Sequence, residues 1–101
     1  MEHLKSENFG TFLENEKRAV IVDFSAVWCG PCKMMTPVLE QIEKDNPEIA
    51  VAKVDVDEAP DLAAKFGIMS IPAFILFEDA KPTAQTIGYM PADELLSELG
   101  L

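Results

Sequence analysis

Four stretches of the chain carry the apolar patterns of β-strands. AVIVDFSA at 19–26 is β-branched and apolar on both faces, a pattern typical of a central strand buried on both sides, and IAVAKVDV at 49–56 is predicted to be a second strand. AFILF at 73–77 and TAQTIG at 83–88 lie either side of EDAKP, which has the composition of a hairpin turn. We therefore predict two central strands and one antiparallel hairpin.

Helical periodicity is found between these strands. A long helix is predicted from about Cys29, with a kink at Pro37 because proline removes one backbone hydrogen bond. Its apolar positions recur at i, i+3, i+4 and i+7 and form one face, made by Met35, Val38, Leu39 and Ile42.

Three shorter helices complete the pattern. SENFGTFLENE is predicted to be a helix capped by Ser6, and PDLAAKF a helix that ends at Gly67, a residue suited to a left-handed stop. The last helix is expected to open at Pro91 and to face inward through Leu95, Leu96 and Leu99. Strands alternating with helices, followed by a hairpin and a helix, predict an α/β fold with a mixed sheet.

Composition limits the classes of partner. At 101 residues, of which 49% are hydrophobic, the chain is expected to form one domain over residues 1–101 with a substantial core. Its 18 acidic residues outnumber its 8 basic ones and give a net charge of −10. That charge disfavours nucleic acid and anionic lipid as main partners, and it favours basic or neutral proteins.

A cytoplasmic location is expected from the same sequence. MEHLKSENFG has no apolar segment behind a basic start, as a secretory signal would, and no run of about 18 apolar residues offers a membrane span. In a reducing compartment a lone disulfide is more often catalytic than structural.

The two cysteines and the single tryptophan all fall within WCGPCK. Residues three apart in a helical turn have Cα atoms about 5 Å apart, so Cys29 and Cys32 can form a disulfide without backbone movement. Gly30 and Pro31 suit the entry into a helix. The positive helix start and Lys33 favour a thiolate. We therefore expect Cys29 to be an exposed nucleophile and Cys32 a covered resolving thiol.

Three other interpretations of the pair are weaker. A disulfide that closes so short a loop stabilises a fold by only about 2 kcal/mol, which makes it a poor staple. A closed zinc site needs four ligands, and only His3 remains beside the two thiols. Two inert buried thiols would leave the Gly-Pro between them unexplained. Redox chemistry is therefore favoured.

Asp23 is a carboxylate inside an apolar strand. Burial there costs several kcal/mol unless the group is paired or protonated. One interpretation is a structural acid that only fixes the strand; the other is a general acid/base with a raised pKa that takes the Cys32 proton, directly or through water. Lys53, in an otherwise apolar strand, is expected either to pair with Asp23 or to extend its ammonium to solvent.

With these residues in place, the sequence resembles the thioredoxin family. The resemblance covers essentially the whole chain and is most specific in VDFSAVWCGPCK and FGIMSIPAFILF. It implies the thioredoxin fold, a central mixed sheet of four or five strands flanked by four helices. It also implies that the Ile71–Pro72 peptide bond is cis. The alternative is that Pro72 is an ordinary proline at the start of a strand.

The resemblance further implies a shallow apolar substrate groove beside the dithiol. The backbone at the position of Ile71 pairs there with an extended substrate segment. The groove would be lined by Trp28, Gly30, Pro31, Ile71, Pro72 and Gly88. Gly88 is alternatively a simple strand-end glycine.

Four positions depart from the common family pattern. They are Ser25, where an aromatic residue is frequent, Ala73, where Thr is usual, the Asp79-Ala80 turn, and the bulky Tyr89. None of them alters the dithiol, so they affect partner preference and hairpin detail. The acidic run DVDEAPD is expected to be a loop and a helix N-terminus, where acids favour the dipole, rather than a cation site.

The function implied by this resemblance is general protein-disulfide reduction through Cys29 and Cys32, in cell redox homeostasis and as electron donor to reductive enzymes. An NADPH-linked flavoprotein, thioredoxin reductase, would reset the disulfide, and the chain itself is expected to bind no cofactor or metal and to be a monomer. The alternatives are a disulfide oxidant or isomerase on the same fold, whose dipeptide usually carries histidine, and a non-catalytic binding module.

Overall fold

The computed structural model describes all residues, 1–101, and contains five strands and four helices. In chain order they are β1 (Glu2–Leu4), α1 (Phe9–Asn15), β2 (Ala19–Ser25), α2 (Gly30–Asp45), β3 (Ile49–Asp55), α3 (Pro60–Lys65), β4 (Ala73–Glu78), β5 (Lys81–Ile87) and α4 (Ala92–Glu98). No helix has both the length and the apolar character needed to cross a membrane.

The five strands form one mixed sheet in the order β1-β3-β2-β4-β5. β2 lies at the centre, where it pairs in parallel with β3 and antiparallel with β4. β1 adds a parallel edge strand next to β3, and β5 completes an antiparallel hairpin with β4. The α/β prediction with a mixed sheet is confirmed, and the fold is the thioredoxin fold that the resemblance implied.

Each face of the sheet carries its own core because side chains alternate along a strand. One core packs α1 and α3 against the sheet and includes Val20, Val22 and Phe24 of β2. The other packs α2 and α4 and includes Ile21 of β2 together with Val51 of β3. Both faces of the central strand are therefore covered, as its continuous apolar pattern predicts.

The helix boundaries follow the sequence closely, with one correction. α2 begins directly after Cys29 and continues through the exposed Pro37. Gly67, with φ of 64°, follows α3 as the predicted left-handed stop. Ser6 does not cap α1, which begins only at Phe9; its hydroxyl donates to an Asp61 carboxylate oxygen at 2.6 Å instead.

The hairpin turn is tighter than EDAKP suggested. Asp79 and Ala80 alone make the turn, with φ of 53° and 64°, and β5 already begins at Lys81. Positive φ at both central residues is the geometry of a two-residue turn between twisted strands. A bulge near Phe77 accommodates Pro82, which has no N–H to give to the sheet ladder.

Candidate active site

The two cysteines lie where β2 ends and α2 begins. Their Cα atoms are 5.2 Å apart, as one helical turn requires, and the two sulfurs form a disulfide. Cys29 is the N-cap of α2, and its Sγ accepts a hydrogen bond from the backbone N–H of Cys32 at 3.2 Å. Pro31 occupies the first helical turn, where its missing N–H costs nothing.

Both sulfur-bearing residues are buried in this oxidised state. Cys29 is 6% exposed and Cys32 1% exposed, so the expectation of an exposed Cys29 is wrong. The pair packs with Ala26, and the partly buried Val56 and Ile71 lie against this cluster. The two cysteines therefore differ only slightly in exposure, with Cys32 the more buried of the two.

Asp23 is completely buried in the middle of β2. Neither of its carboxylate oxygens has a hydrogen-bond partner, so it is not a satisfied structural acid. Burial raises the pKa of Asp23 from 3.8 to about 7, and the charge of Lys53 opposes that rise. A pKa near neutrality is what a general acid/base requires at physiological pH.

Lys53 is the cross-strand neighbour of Asp23 in the β2–β3 register. The half-buried lysine makes no ion pair within 4.0 Å, so the predicted direct pairing does not form and Lys53 acts on Asp23 at longer range. Both residues share the parity of Ile21 and Val51 and thus lie on the face covered by α2. That helix also carries Cys32 in its first turn.

Trp28 stands out from the surface, with 68% of its area exposed. Its indole Nε1 donates a hydrogen bond to an Asp57 carboxylate oxygen at 2.7 Å. The sequence reasoning missed Asp57, whose only signal was the acidic run after β3. Asp55 in the same run accepts from the backbone N–H groups of Asp57 and Glu58, which supports the loop interpretation.

An apolar groove of about 190 Å³ lies beside the dithiol. It is lined by Trp28, Val56, Ala63, Ile68, Met69 and Ile71. Trp28 and Ile71 belong to the predicted groove, whereas the other predicted members do not line this cavity: Gly30, Pro31, Pro72 and Gly88. Met69, 95% exposed, is the most prominent residue that the sequence reasoning missed.

Pro72 and Gly88 meet at the edge of the site. The Ile71–Pro72 peptide bond is cis, as the resemblance implied. The Gly88 N–H donates to the Pro72 carbonyl at 2.8 Å, so Gly88 directly contacts the cis-proline segment after β5 ends. Gly88 has φ of 97°, in the region that strongly favours glycine.

No metal centre is found among residues 1–101, where no three His, Cys, Asp or Glu side chains are grouped to hold an ion. The redox-active group present is the Cys29–Cys32 disulfide. A CxxC disulfide at a helix start, in a fold that also carries a buried acid of raised pKa in the preceding strand and a cis-proline, is typical of the class of dithiol–disulfide oxidoreductases.

Comparison with known proteins gives the family. The chain matches the thioredoxin family profile over residues 1–100. It is 47% identical over 97 residues to thioredoxin of Alicyclobacillus acidocaldarius, covering 95% of this chain and 91% of that protein. It is 47% identical over 90 residues to thioredoxin of Staphylococcus haemolyticus, and the match covers 87% of this chain and 86% of that protein. The chain belongs to the thioredoxin family and is a thiol–disulfide oxidoreductase.

A solved structure supports the same assignment at the level of the fold. Plasmodium falciparum thioredoxin superposes with a TM-score of 0.89 at 29% sequence identity. The match covers 99% of this chain and 97% of that one. The curated relatives and the disulfide together support protein-disulfide reductase function.

Proposed function

We propose that this chain is a general protein-disulfide reductase that donates electrons to reductive enzymes and maintains cell redox balance. The observation that carries the proposal is the disulfide between Cys29 and Cys32 at the start of α2. In our proposal residues 1–101 act as one domain around that site.

Cys29 performs the first step. Its thiolate attacks a substrate disulfide, forms a mixed disulfide and expels one substrate sulfur as a thiolate. The Cys32 N–H that contacts Cys29 Sγ, together with the unpaired N–H groups of the helix start, supports negative charge on that sulfur. These contacts favour Cys29 over Cys32 as the nucleophile.

Cys32 performs the second step with help from Asp23. The Cys32 thiol passes its proton to the Asp23 carboxylate, directly or through water, and then attacks the Cys29 sulfur. The Cys29–Cys32 bond forms, the mixed disulfide breaks and the reduced substrate leaves. A pKa of about 7 suits this role because Asp23 can accept the proton and return it to solvent at neutral pH. Lys53 is proposed to tune that pKa.

The substrate segment lies across the groove. We propose that it pairs with the backbone at Ile71 in an extended conformation and contacts Trp28. Pro72 and Gly88 hold the edge of that surface through their mutual hydrogen bond. Gly30 and Pro31, both exposed at the start of α2, complete the contact surface around the dithiol.

The oxidised pair is proposed to be reset by thioredoxin reductase, an NADPH-linked flavoprotein. We propose a cytoplasmic monomer. Its only two cysteines serve the redox site, which suits a reducing compartment where structural disulfides are rare. No other cofactor is required, because thiol–disulfide exchange uses only the sulfur atoms themselves.

Trapping tests the two cysteine roles. Cys32→Ser removes the resolving thiol, so incubation with a disulfide protein should leave substrate covalently attached to Cys29, visible as an adduct in intact mass. Cys29→Ser is the matched control and should form little adduct. Equal adducts on both variants, or none on either, would refute the assignment of roles.

Redox titration tests the direction of the chemistry. Trp28 adjoins Cys29 and is the only indole, so its fluorescence should report the state of the pair in graded thiol–disulfide buffers. A two-electron transition near the roughly −270 mV known for thioredoxin supports a reductant. A transition at about −180 to −120 mV would instead place the protein with isomerases or oxidants.

A further inference from the structure

A second cavity, of about 320 Å³, lies next to the dithiol between β1, the end of β3 and the start of α2. Cys32 and Ser25 line it from within. It shares no lining residue with the apolar groove, whose Val56 and Ile71 pack against the cysteine cluster. The two sulfurs therefore lie between two different surfaces. We call this second one the cationic cavity, after the lysines Lys5, Lys33 and Lys53 that line it.

The charge of the cationic cavity is opposite to that of the whole protein. The chain has 8 Lys and Arg, 18 Asp and Glu, and one histidine. Three of the lysines line this cavity, against two carboxylates, Asp55 and Glu58, so positive groups outnumber negative ones by one. The Oδ1 atom of Asp55 also accepts two backbone N–H groups. A protein of net charge −10 thus presents a locally positive surface beside its resolving cysteine.

The lysines of the cavity form no ion pair. The ion pairs of the structure are Met1 with Glu43 and Arg18 with Glu16, and none of the cavity residues takes part in them. Lys53 is half-buried and its charge acts on Asp23, whereas Lys5 and Lys33 are exposed. Lys5 and Lys33 are therefore free to receive a negative group from another molecule.

We propose that the cationic cavity receives an acidic side chain that neighbours the disulfide of a substrate protein. The inference deepens the proposed reductase function and rests on it. The preferred target is a disulfide with a Glu or Asp beside it, while apolar residues on its other side occupy the groove. The cavity is thus a specificity-determining surface, and its occupant is a carboxylate of the substrate.

Two electrostatic effects oppose each other in this arrangement. The net charge of −10 repels an acidic partner at long range, so on net charge alone a basic substrate is reduced faster. At 0.15 M salt the Debye length is about 8 Å, which screens that long-range field more than a contact inside the cavity. The local contact therefore decides selectivity at physiological salt. It predicts faster reduction of substrates with an acidic residue beside the disulfide, whereas the net charge predicts faster reduction of substrates with a basic one.

Three kinds of disulfide peptide separate these predictions. They differ only in one residue next to a disulfide cysteine, which is Glu, Gln or Lys, and each kind is made in two forms, with that residue before or after the cysteine. At 0.15 M salt we expect kcat/KM to be about two- to five-fold higher for the best-placed Glu peptide than for its Lys counterpart, since exposed charge contacts are of that strength. Equal rates, or faster reduction of the Lys peptide in both placements, would overturn the proposal.

A charge reversal locates the preference. Lys5→Glu changes an exposed cavity lysine that has no role in the cysteine chemistry. It should abolish or reverse the preference for the Glu peptide, measured as the ratio of its kcat/KM to that of the Gln peptide. Lys17→Glu is the matched control, because it makes the same change in net charge at an exposed site before β2, roughly 20 Å of strand from the dithiol end. An equal effect of both variants would assign the preference to net charge and refute the cavity.

The Gln peptide keeps the two proposals distinguishable. Its reduction reports the reductase function alone, because it brings no charge to the cavity. If none of the three peptides is reduced, the proposed function fails and the cavity proposal fails with it. If all are reduced at one rate, only the cavity proposal fails.

Discussion

The two faces of β2 put the same strand to different uses. On one face Val20, Val22 and Phe24 join a core that also contains buried side chains of α1 and α3. On the other face the apolar series is interrupted, because Ile21 is followed by Asp23 and Ser25, both almost completely buried. One face gains free energy from burial, whereas the other loses some of it to an unpartnered carboxyl.

Neighbouring residues of β2 therefore serve different purposes: those on one face stabilise the fold, and those on the other face can take part in the chemistry. Adjacent side chains of a strand point to opposite faces, so Asp23 and Phe24 are neighbours in sequence but lie in different environments. Packing on the apolar face stabilises the strand, so the opposite face can carry the buried Asp23 carboxyl, which by itself lowers the free energy of unfolding. Substitutions on the two faces should consequently have effects of opposite sign.

The largest expected effect is the loss of Phe24. Its side chain is fully buried, with its ring centroid 6.0 Å from that of Phe66. Phe24→Ala should lower the free energy of unfolding by about 3–5 kcal/mol, because it removes apolar contacts and leaves a cavity. Urea denaturation measures the change. A loss below about 1 kcal/mol would show that the two faces do not differ as described.

Asp23→Asn should have the opposite sign. Burial raises the folded-state pKa of Asp23 to about 7 from 3.8, so the folded protein binds the proton more tightly than the unfolded chain. Ionisation therefore destabilises the fold progressively as pH rises through this window. The advantage of the isosteric Asn variant should grow by about 2 kcal/mol between pH 5 and pH 7, because the slope of 1.36 kcal/mol per pH unit falls off as the pH reaches the folded-state pKa. Parallel stability curves for the two proteins would contradict the raised pKa.

The same substitution should slow one chemical step. Without the carboxylate of Asp23, release of reduced substrate should fall by about 100-fold at neutral pH, the lower range for a general base. The initial attack by Cys29 should change by less than about two-fold, since that thiolate needs no base. Stopped-flow traces resolve both steps, and equal slowing of the two would rule out the acid/base role.

The smallest effect is expected at Lys53. Its charge lowers the pKa of Asp23 against the larger effect of burial, so Lys53→Gln should move that pKa further upward. An NMR titration of the Asp23 carboxyl carbon follows the shift directly, with Lys17→Gln as a surface control. If the pKa of Asp23 does not rise in Lys53→Gln, the charge of Lys53 has no electrostatic effect on Asp23.

Most helices and strands of the fold can be predicted from the sequence, because long apolar patterns define them. β2, α2 and β3 each bury several residues at a regular period, and their predicted bounds agree with the structure to within a residue or so. β1 was not predicted. It has three residues, of which only Leu4 is buried, so no period can be recognised, and its pairing with β3 is a tertiary effect.

The site was predictable where chemistry depends on local spacing. The CxxC pair and the buried Asp23 are visible in a single strand–helix segment. The Asp57 contact of Trp28 joins positions 29 residues apart and carries no local signal. The burial of Cys29 likewise depends on Val56 and Ile71, which arrive from other elements. Contacts between distant segments are set by packing of the whole sheet, and patterns within one segment do not encode them.

The hairpin tip offers a handle for protein engineering. Asp79 and Ala80 both adopt positive φ, which costs a residue with a side chain roughly 1 kcal/mol or more compared with glycine. The tip lies at the far end of β4, roughly 17 Å along the strand from the cis-proline. Replacing Asp79-Ala80 by Asn-Gly should therefore raise the free energy of unfolding without changing the redox site. That gain would offset destabilising substitutions made elsewhere to accept new substrates.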